Sequence, residues 1–173
     1  MSNFSSCLDV VLLYESGFVK LPNGNISNLG ITQKLYEAWM KKSVTEDHMQ
    51  SLTPQMVAPI YKAKYWDLLQ CEMLPHGVDL TVFDFAISVG QQRAIAKLQA
   101  AIDAYADGIM GPKTIEAVRK VEDTASLIVT YKLLRDEFYK TLPSYSQFGS
   151  AWDKRTAKTT EKALEMNSLM YCK

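Results

Sequence analysis

The stretch FSSCLDVVLLYESGFVKLPNGNISNLGITQ, residues 4–33, decides the reading of the fold. Phe4, Leu8, Val11, Leu12 and Glu15 recur at helical spacing, so residues 3–16 are expected to form an amphipathic helix that Ser16-Gly17 stops. Residues 21–30 are rich in Gly, Asn and Pro, and Asn23-Gly24 is a hairpin-turn signal. Helical pattern resumes behind Thr32, a candidate N-cap, and runs to about Lys42.

Outward from this segment the chain keeps a helical grain. Thr53-Pro54 reads as cap and first position of a helix reaching about Leu69, and Leu74-Pro75 breaks the chain. Val78–Val89 is apolar enough for a buried central helix, although its Val, Phe and Ile content would also suit a strand, and Gly90 ends it. Further helices are expected over Ala94–Ile102, from Pro112 to about Val121, over Thr124–Tyr139, and from about Ala151 onward after Pro143 and Gly149 punctuate. The expected class is mainly α, with at most a small β-hairpin after the first helix.

The totals narrow the function classes. The 173 residues have zero formal net charge and 47% hydrophobic content, an ordinary globular balance that lends no electrostatic support to nucleic-acid or membrane-surface binding. Residues 119–173 carry ten Lys/Arg against seven Asp/Glu, a mild basic excess that suits either a solvated helix face or an anionic polymer. Cys7, Cys71 and Cys172 are odd in number and widely spaced, which argues for reduced thiols over a disulfide framework. The N-terminus lacks a basic region and its apolar stretch is short for a signal peptide, so synthesis in a cytoplasm is expected, with another factor releasing the protein to any target outside. His48 and His76 are isolated, so no metal is assigned.

Glu15 is the most informative residue. It continues the apolar stripe of the first helix, and a carboxyl against apolar neighbours is disfavoured in its charged form; the expected rise in pKa is what a general acid needs to protonate a glycosidic oxygen. A glutamate at a fraying helix end fits the same spacing. Asp79, near a helix start, reads as a cap or dipole partner, and Asp84, between Phe83 and Phe85, as a partly buried ion-pair or hydrogen-bonding group. Tyr61, Tyr65, Trp66 and Trp152 suit either core packing or stacking on sugar rings.

Several segments in fixed order carry a resemblance. YESGFV (Tyr14–Val19), LGITQ (Leu29–Gln33), YKAKYWDLL (Tyr61–Leu69), LPHGVDLTVFDFAISVG (Leu74–Gly90), LQAAI (Leu98–Ile102), DGIMGPKT (Asp107–Thr114) and FGSAWDKR (Phe148–Arg155) span nearly the whole chain. Together they resemble the glycoside hydrolase family 108 lysozymes, endolysin-type N-acetylmuramidases with a C-terminal peptidoglycan-binding module. The resemblance implies a lysozyme-like fold with a catalytic lobe over residues 1–89 and a helical peptidoglycan-binding lobe over 90–173. It carries the catalytic glutamate onto Glu15 and implies peptidoglycan as partner and no cofactor. Within the wall-binding lobe, Asp107, Gly108 and Gly111 suit either loop shaping or wall contact, Trp152 either core packing or sugar stacking, and Arg155 either an anionic wall group or a helix cap. Phage-type lysis, release through a holin-like pore, no nucleic-acid or stable membrane partner and a monomeric state complete the expectation.

One departure bears on mechanism. Family members usually carry an Asp, two glycines and a Thr between the glutamate and G-I-T, whereas Leu21–Leu29 has neither Asp nor Thr, and Glu15 is the only acid from residue 10 to residue 36. Asn25, Ser27 and Asn28 are therefore the candidates for positioning water or substrate, with Asp84 as a more distant one. The missing groups also leave room for a different class, a non-catalytic peptidoglycan-binding or virion-associated structural protein.

Overall fold

The computed structural model describes residues 3–171. The chain divides into two compact units, one of residues 4–64 and one of residues 1–3 and 65–173.

In the first unit, α1 (Phe4–Leu12) buries Cys7, Leu8, Val10 and Val11 and packs against α4 (Pro54–Tyr61). The helix is shorter than its apolar periodicity implies. Tyr14 donates its N–H to the Val11 carbonyl at 3.0 Å, a three-residue step that tightens the last turn, and the chain leaves the helix axis before Glu15. A three-stranded antiparallel sheet follows, with β1 (Val19–Lys20), β2 (Ile26–Asn28) and β3 (Ile31–Thr32) in sequential order. One expected hairpin is thus two. Asn28 and Ile31 pair across a two-residue loop of Leu29 and Gly30 with φ of 49° and 73°, the doubly left-handed turn that matches strand twist.

Thr32 then caps α2 (Gln33–Met40), its hydroxyl accepting from the Leu35 N–H at 3.3 Å. Thr45 caps a short α3 (Glu46–Gln50) that lacks apolar periodicity and was not expected. Thr53 caps α4, with Pro54 in its first turn. Beyond Tyr61 the ladder widens into a π-turn at Lys62–Trp66, so the single helix expected to reach Leu69 ends early.

The second unit is built around α5 (Val78–Val89), which buries every side chain from Val78 to Ala86. It has no polar face, as befits a helix walled on all sides. Its walls are α6 (Gln91–Ala101), α8 (Thr124–Lys140) and α9 (Tyr145–Tyr171). The compact unit that begins at residue 65 thus holds α5 together with these helices, while the sequence-based boundary at 89 falls at the end of α5. The reason is that α5 is buried from Val78 to Ala86 and packs with the helices that cover it. Helix α7 (Pro112–Arg119) completes the unit.

Gly149 does not interrupt the chain as expected, because α9 runs through it. A β-carbon there would stand 2.8–2.9 Å from the Tyr145 ring, so the glycine serves close packing within the helix. Cys7 and Cys71 are buried free thiols, and Cys172 lies outside the described residues.

Candidate active site

Glu15 is half-buried in a bend after α1. Its carboxyl is placed by the β2–β3 turn: a β-carbon on Gly30 would fall 2.7 Å from Glu15 Oε2 and would collide with the Tyr61 hydroxyl. Tyr61, itself 1% exposed, donates that hydroxyl to the Leu29 carbonyl at 2.9 Å and so pins the turn from α4. Gly30 is required twice here, by its φ of 73° and by the absence of a side chain where the carboxyl lies. Glu15 thus owes its place to a tertiary corner made by three elements and not to the apolar stripe of its own helix.

The strands leaving this turn line a groove of about 460 Å³ bordered by Leu21, Gly24, Asn25, Ile26, Ser27, Thr32, Gln33, Lys34 and Glu37. Ser27 is the central residue of β2, in register with Val19 on one side and Thr32 on the other, while its neighbours Ile26 and Asn28 are buried. Three Cα–Cα steps lead from Ser27 to Gly30, which bounds their α-carbons to within roughly 11 Å. The Glu15 corner and the polar wall of the groove therefore belong to one small sheet.

The positioning candidates separate. Asn25 and Ser27 line the groove. Asn28 does not: its Nδ2 donates to the Met49 and Gln50 carbonyls at 2.8 and 3.2 Å, and the residue is 5% exposed, so it ties the sheet to α3. Sequence reasoning missed Glu37, which brings a carboxyl to the groove from the second turn of α2. Its Oε1 accepts the Val44 N–H at 3.0 Å and Gln33 Nε2 at 3.3 Å, which fixes the side chain. Helical spacing from the Thr32 cap was the available signal.

Asp84 has a different task from the one the shortened loop suggested. It is fully buried, with Oδ2 2.6 Å from Arg135 Nη1 and Oδ1 accepting from Arg155 Nε and Nη2 at 2.9 and 2.7 Å. Burial drives its pKa up, and the Arg135 and Arg155 guanidiniums outweigh this and hold the carboxyl below the usual range. A carboxylate engaged on both oxygens offers no face to water or sugar, so Asp84 is a structural ion-pair centre. Arg155 is engaged at the same centre through Nε and Nη2. Asp79 is buried too, with Oδ1 accepting from the Gly77 and Leu80 N–H groups at 2.8 and 2.7 Å at the start of α5, the capping role read from the sequence. Burial raises its pKa, and Asn3 and the two backbone donors offset only part of the rise.

The Asp107–Thr114 motif shapes a loop around the buried Gln99. Gln99 Nε2 donates to Asp107 Oδ1 at 2.7 Å, and its Oε1 accepts the Gly108 N–H at 2.8 Å. Asp107 Oδ1 also accepts the Ile109 N–H at 2.9 Å, and these bonds hold its pKa down. Gly108 is buried at φ 74°, where a β-carbon would run into Gln92, and Gly111 opens α7. These three residues shape the loop, with Asp107 Oδ1 and the Gly108 N–H engaged inside it. Trp152 keeps an open edge: it stacks on Tyr139 with centroids 5.0 Å apart, beside Tyr145 and the exposed Phe148. Among the described residues no group of three or more His, Cys, Asp or Glu is disposed to hold a metal.

Comparison with known proteins follows this geometry. Residues 8–90 match the family described as Glycosyl hydrolase 108, and residues 87–157 match the family described as Predicted Peptidoglycan domain. A solved structure, that of Brucella abortus SagA, is 32% identical, superposes with a TM-score of 0.82, and the match covers 95% of each chain. The chain belongs to the glycosyl hydrolase 108 family. No curated protein matches it. The lysozyme-like, mainly helical fold is thereby shown, as is a glycoside hydrolase class joined to a peptidoglycan domain. The two family segments meet near residue 90, within the compact unit that begins at residue 65.

Proposed function

We propose that this family 108 protein is an N-acetylmuramidase that hydrolyses the β-1,4 bond between N-acetylmuramic acid and N-acetylglucosamine, with Glu15 as general acid. The observation that carries this reading is the Glu15 carboxyl at the Gly30 turn, on the small sheet whose Ser27 and Asn25 line the groove. Protonated Glu15 donates its proton to the glycosidic oxygen as the bond to the anomeric carbon breaks. A water held by Ser27 and Asn25 adds to that carbon, its surplus proton passes to solvent, and Glu15 is reprotonated. The fixed Glu37 carboxyl accepts hydrogen bonds from sugar hydroxyls. Trp152, with Tyr145 and Phe148, presents aromatic faces that suit the sugars of the wall. Phage-type lysis belongs to the same proposal.

A turbidity assay on permeabilised Gram-negative cells, paired with reducing-end release from purified sacculi, tests it. Wild type is expected to clear the suspension, and Glu15→Gln to be slower by ~10²–10⁴-fold with an unchanged melting temperature. Equal activity of the two proteins would remove Glu15 from the mechanism. Binding to sacculi without any reducing-end release by wild type would favour the rival reading, a non-catalytic wall binder, for which the absent Asp and Thr of Leu21–Leu29 speak.

A further inference from the structure

The second unit contains a cleft that the glycan chemistry does not use. It has a volume of about 490 Å³ and is lined by Glu72, Met73, Leu74, Pro75, His76, Arg119, Val121, Thr124 and Asn167. Two donors on its lining, one on Asn167 and one on Arg119, are not taken up by an acceptor of opposite charge. Asn167 is 7% exposed, its Oδ1 accepts the Thr124 hydroxyl at 2.7 Å, and its Nδ2 has no hydrogen-bond partner among the described residues. Arg119, the last residue of α7, reaches only neutral acceptors, the Met73 carbonyl at 3.3 Å and the Met73 sulfur at 3.8 Å, and forms no ion pair among the described residues.

An unmatched amide donor and a guanidinium without a carboxylate define a site for an anion with hydrogen-bond acceptors. Met73, Leu74, Pro75 and Val121 add apolar walls, and His76 a further polar ring. Glu72, whose Oε2 accepts Trp66 Nε1 at 3.2 Å, brings a carboxylate to the same lining and so an attraction for an ammonium group. The volume falls in the range of small-ligand pockets, roughly 300–1,000 Å³. Both charge signs, apolar walls and that volume suit a short peptide bearing a free carboxylate and an amine, and fit a bare sugar poorly.

We propose that this cleft is a subsite for the carboxylate-ended stem peptide of peptidoglycan, with Asn167 Nδ2 and Arg119 receiving the carboxylate. The proposal rests on the peptidoglycan reading above. It gives the second unit a peptide-recognising role beside the glycan-cutting role of the first.

The test is calorimetric titration of the full chain with the free tetrapeptide L-Ala–γ-D-Glu–meso-diaminopimelate–D-Ala. The same peptide with an amidated C-terminus and the peptide-free disaccharide serve as comparisons. Wild type is expected to bind the acid-ended peptide at least tenfold more tightly than either comparison. Asn167→Asp, which keeps the acceptor for Thr124 but replaces the donor with a charge, and Arg119→Gln, at an exposed position, are each expected to weaken it tenfold or more. Equal binding by wild type and Arg119→Gln, a preference for the disaccharide, or no binding of the peptide would each overturn the subsite. Sacculus binding and digestion are measured in parallel. Their persistence alongside a failed peptide titration removes the subsite alone, whereas their absence removes the proposed function as well.

Discussion

Glu15 and Asp84 are both carboxyls that the sequence sets among apolar neighbours, and the two units treat them in opposite ways. In residues 4–64 the carboxyl is half-buried and held at a glycine turn of the sheet whose Ile26 and Ser27 line a groove. In residues 65–171 it is fully buried and gripped by two guanidiniums, with the Arg135 guanidinium also 5.1 Å from the Phe85 ring centroid. A charge removed from water is held only by complete pairing, and complete pairing leaves nothing for chemistry. A carboxyl that is to give a proton to a substrate must instead keep part of its surface open and take its position from its surroundings. Burial and two guanidiniums fix Asp84 in a structural role, whereas the role proposed for Glu15 calls for a carboxyl that stays partly exposed.

The largest effect that would break this contrast is at Asp84. Asp84→Asn leaves Arg135 and Arg155 facing a neutral amide, and a loss of about 3–5 kcal/mol in denaturant unfolding is expected. A loss under 1 kcal/mol would show that the pair is not the centre described. The effect also has a pH signature. The folded pKa of Asp84 is lowered, so its contribution is present above the unfolded carboxylate range and is lost as pH falls through the folded value. The gap between wild type and Asp84→Asn should stay constant at neutral pH and narrow only on strong acidification. Asp79 has the opposite sign. Its folded pKa is raised, so its contribution is present below the unfolded value and is lost as pH rises through the folded one. The gap between wild type and Asp79→Asn should therefore narrow on going from acid toward neutral pH.

Smaller effects sharpen the other half of the contrast. Gly30→Ala must adopt φ 73° and meets Glu15 and Tyr61, so about 1–3 kcal/mol of stability and at least tenfold in lytic rate should go together. Retained activity in that variant would mean that the turn does not set Glu15. Ser27→Ala removes the hydroxyl facing the groove and is expected to lower the rate by about tenfold, roughly 1.4 kcal/mol, without moving the melting temperature. An unchanged rate would leave water or substrate positioning to Asn25 and Glu37.

Local chemistry made much of this legible in the chain alone. The caps at Thr32 and Thr53 depend on residues close in sequence and each gave its element directly, and the largely apolar α5 was legible as a buried element though its composition also suited a strand. Glu15 stood out as the sole acid in a long stretch ahead of an Asn- and Gly-rich turn. Periodicity misled where a short-range hydrogen bond intervened, as at Tyr14, or where a glycine served packing instead of chain breaking, as at Gly149.

The sequence by itself therefore determined the helical class, the position of most elements and the identity of the one acid between residues 10 and 36, because hydrophobic period, capping and composition act over a few residues. Only the tertiary structure decided what the polar residues do. Whether Asp84 faces water or two arginines, whether Asn28 lines the groove or ties down α3, and whether Glu37 reaches the groove depend on groups far apart in the chain. The strength of a charge or a donor is fixed by what surrounds it in space, and that is known only once the chain has closed on itself.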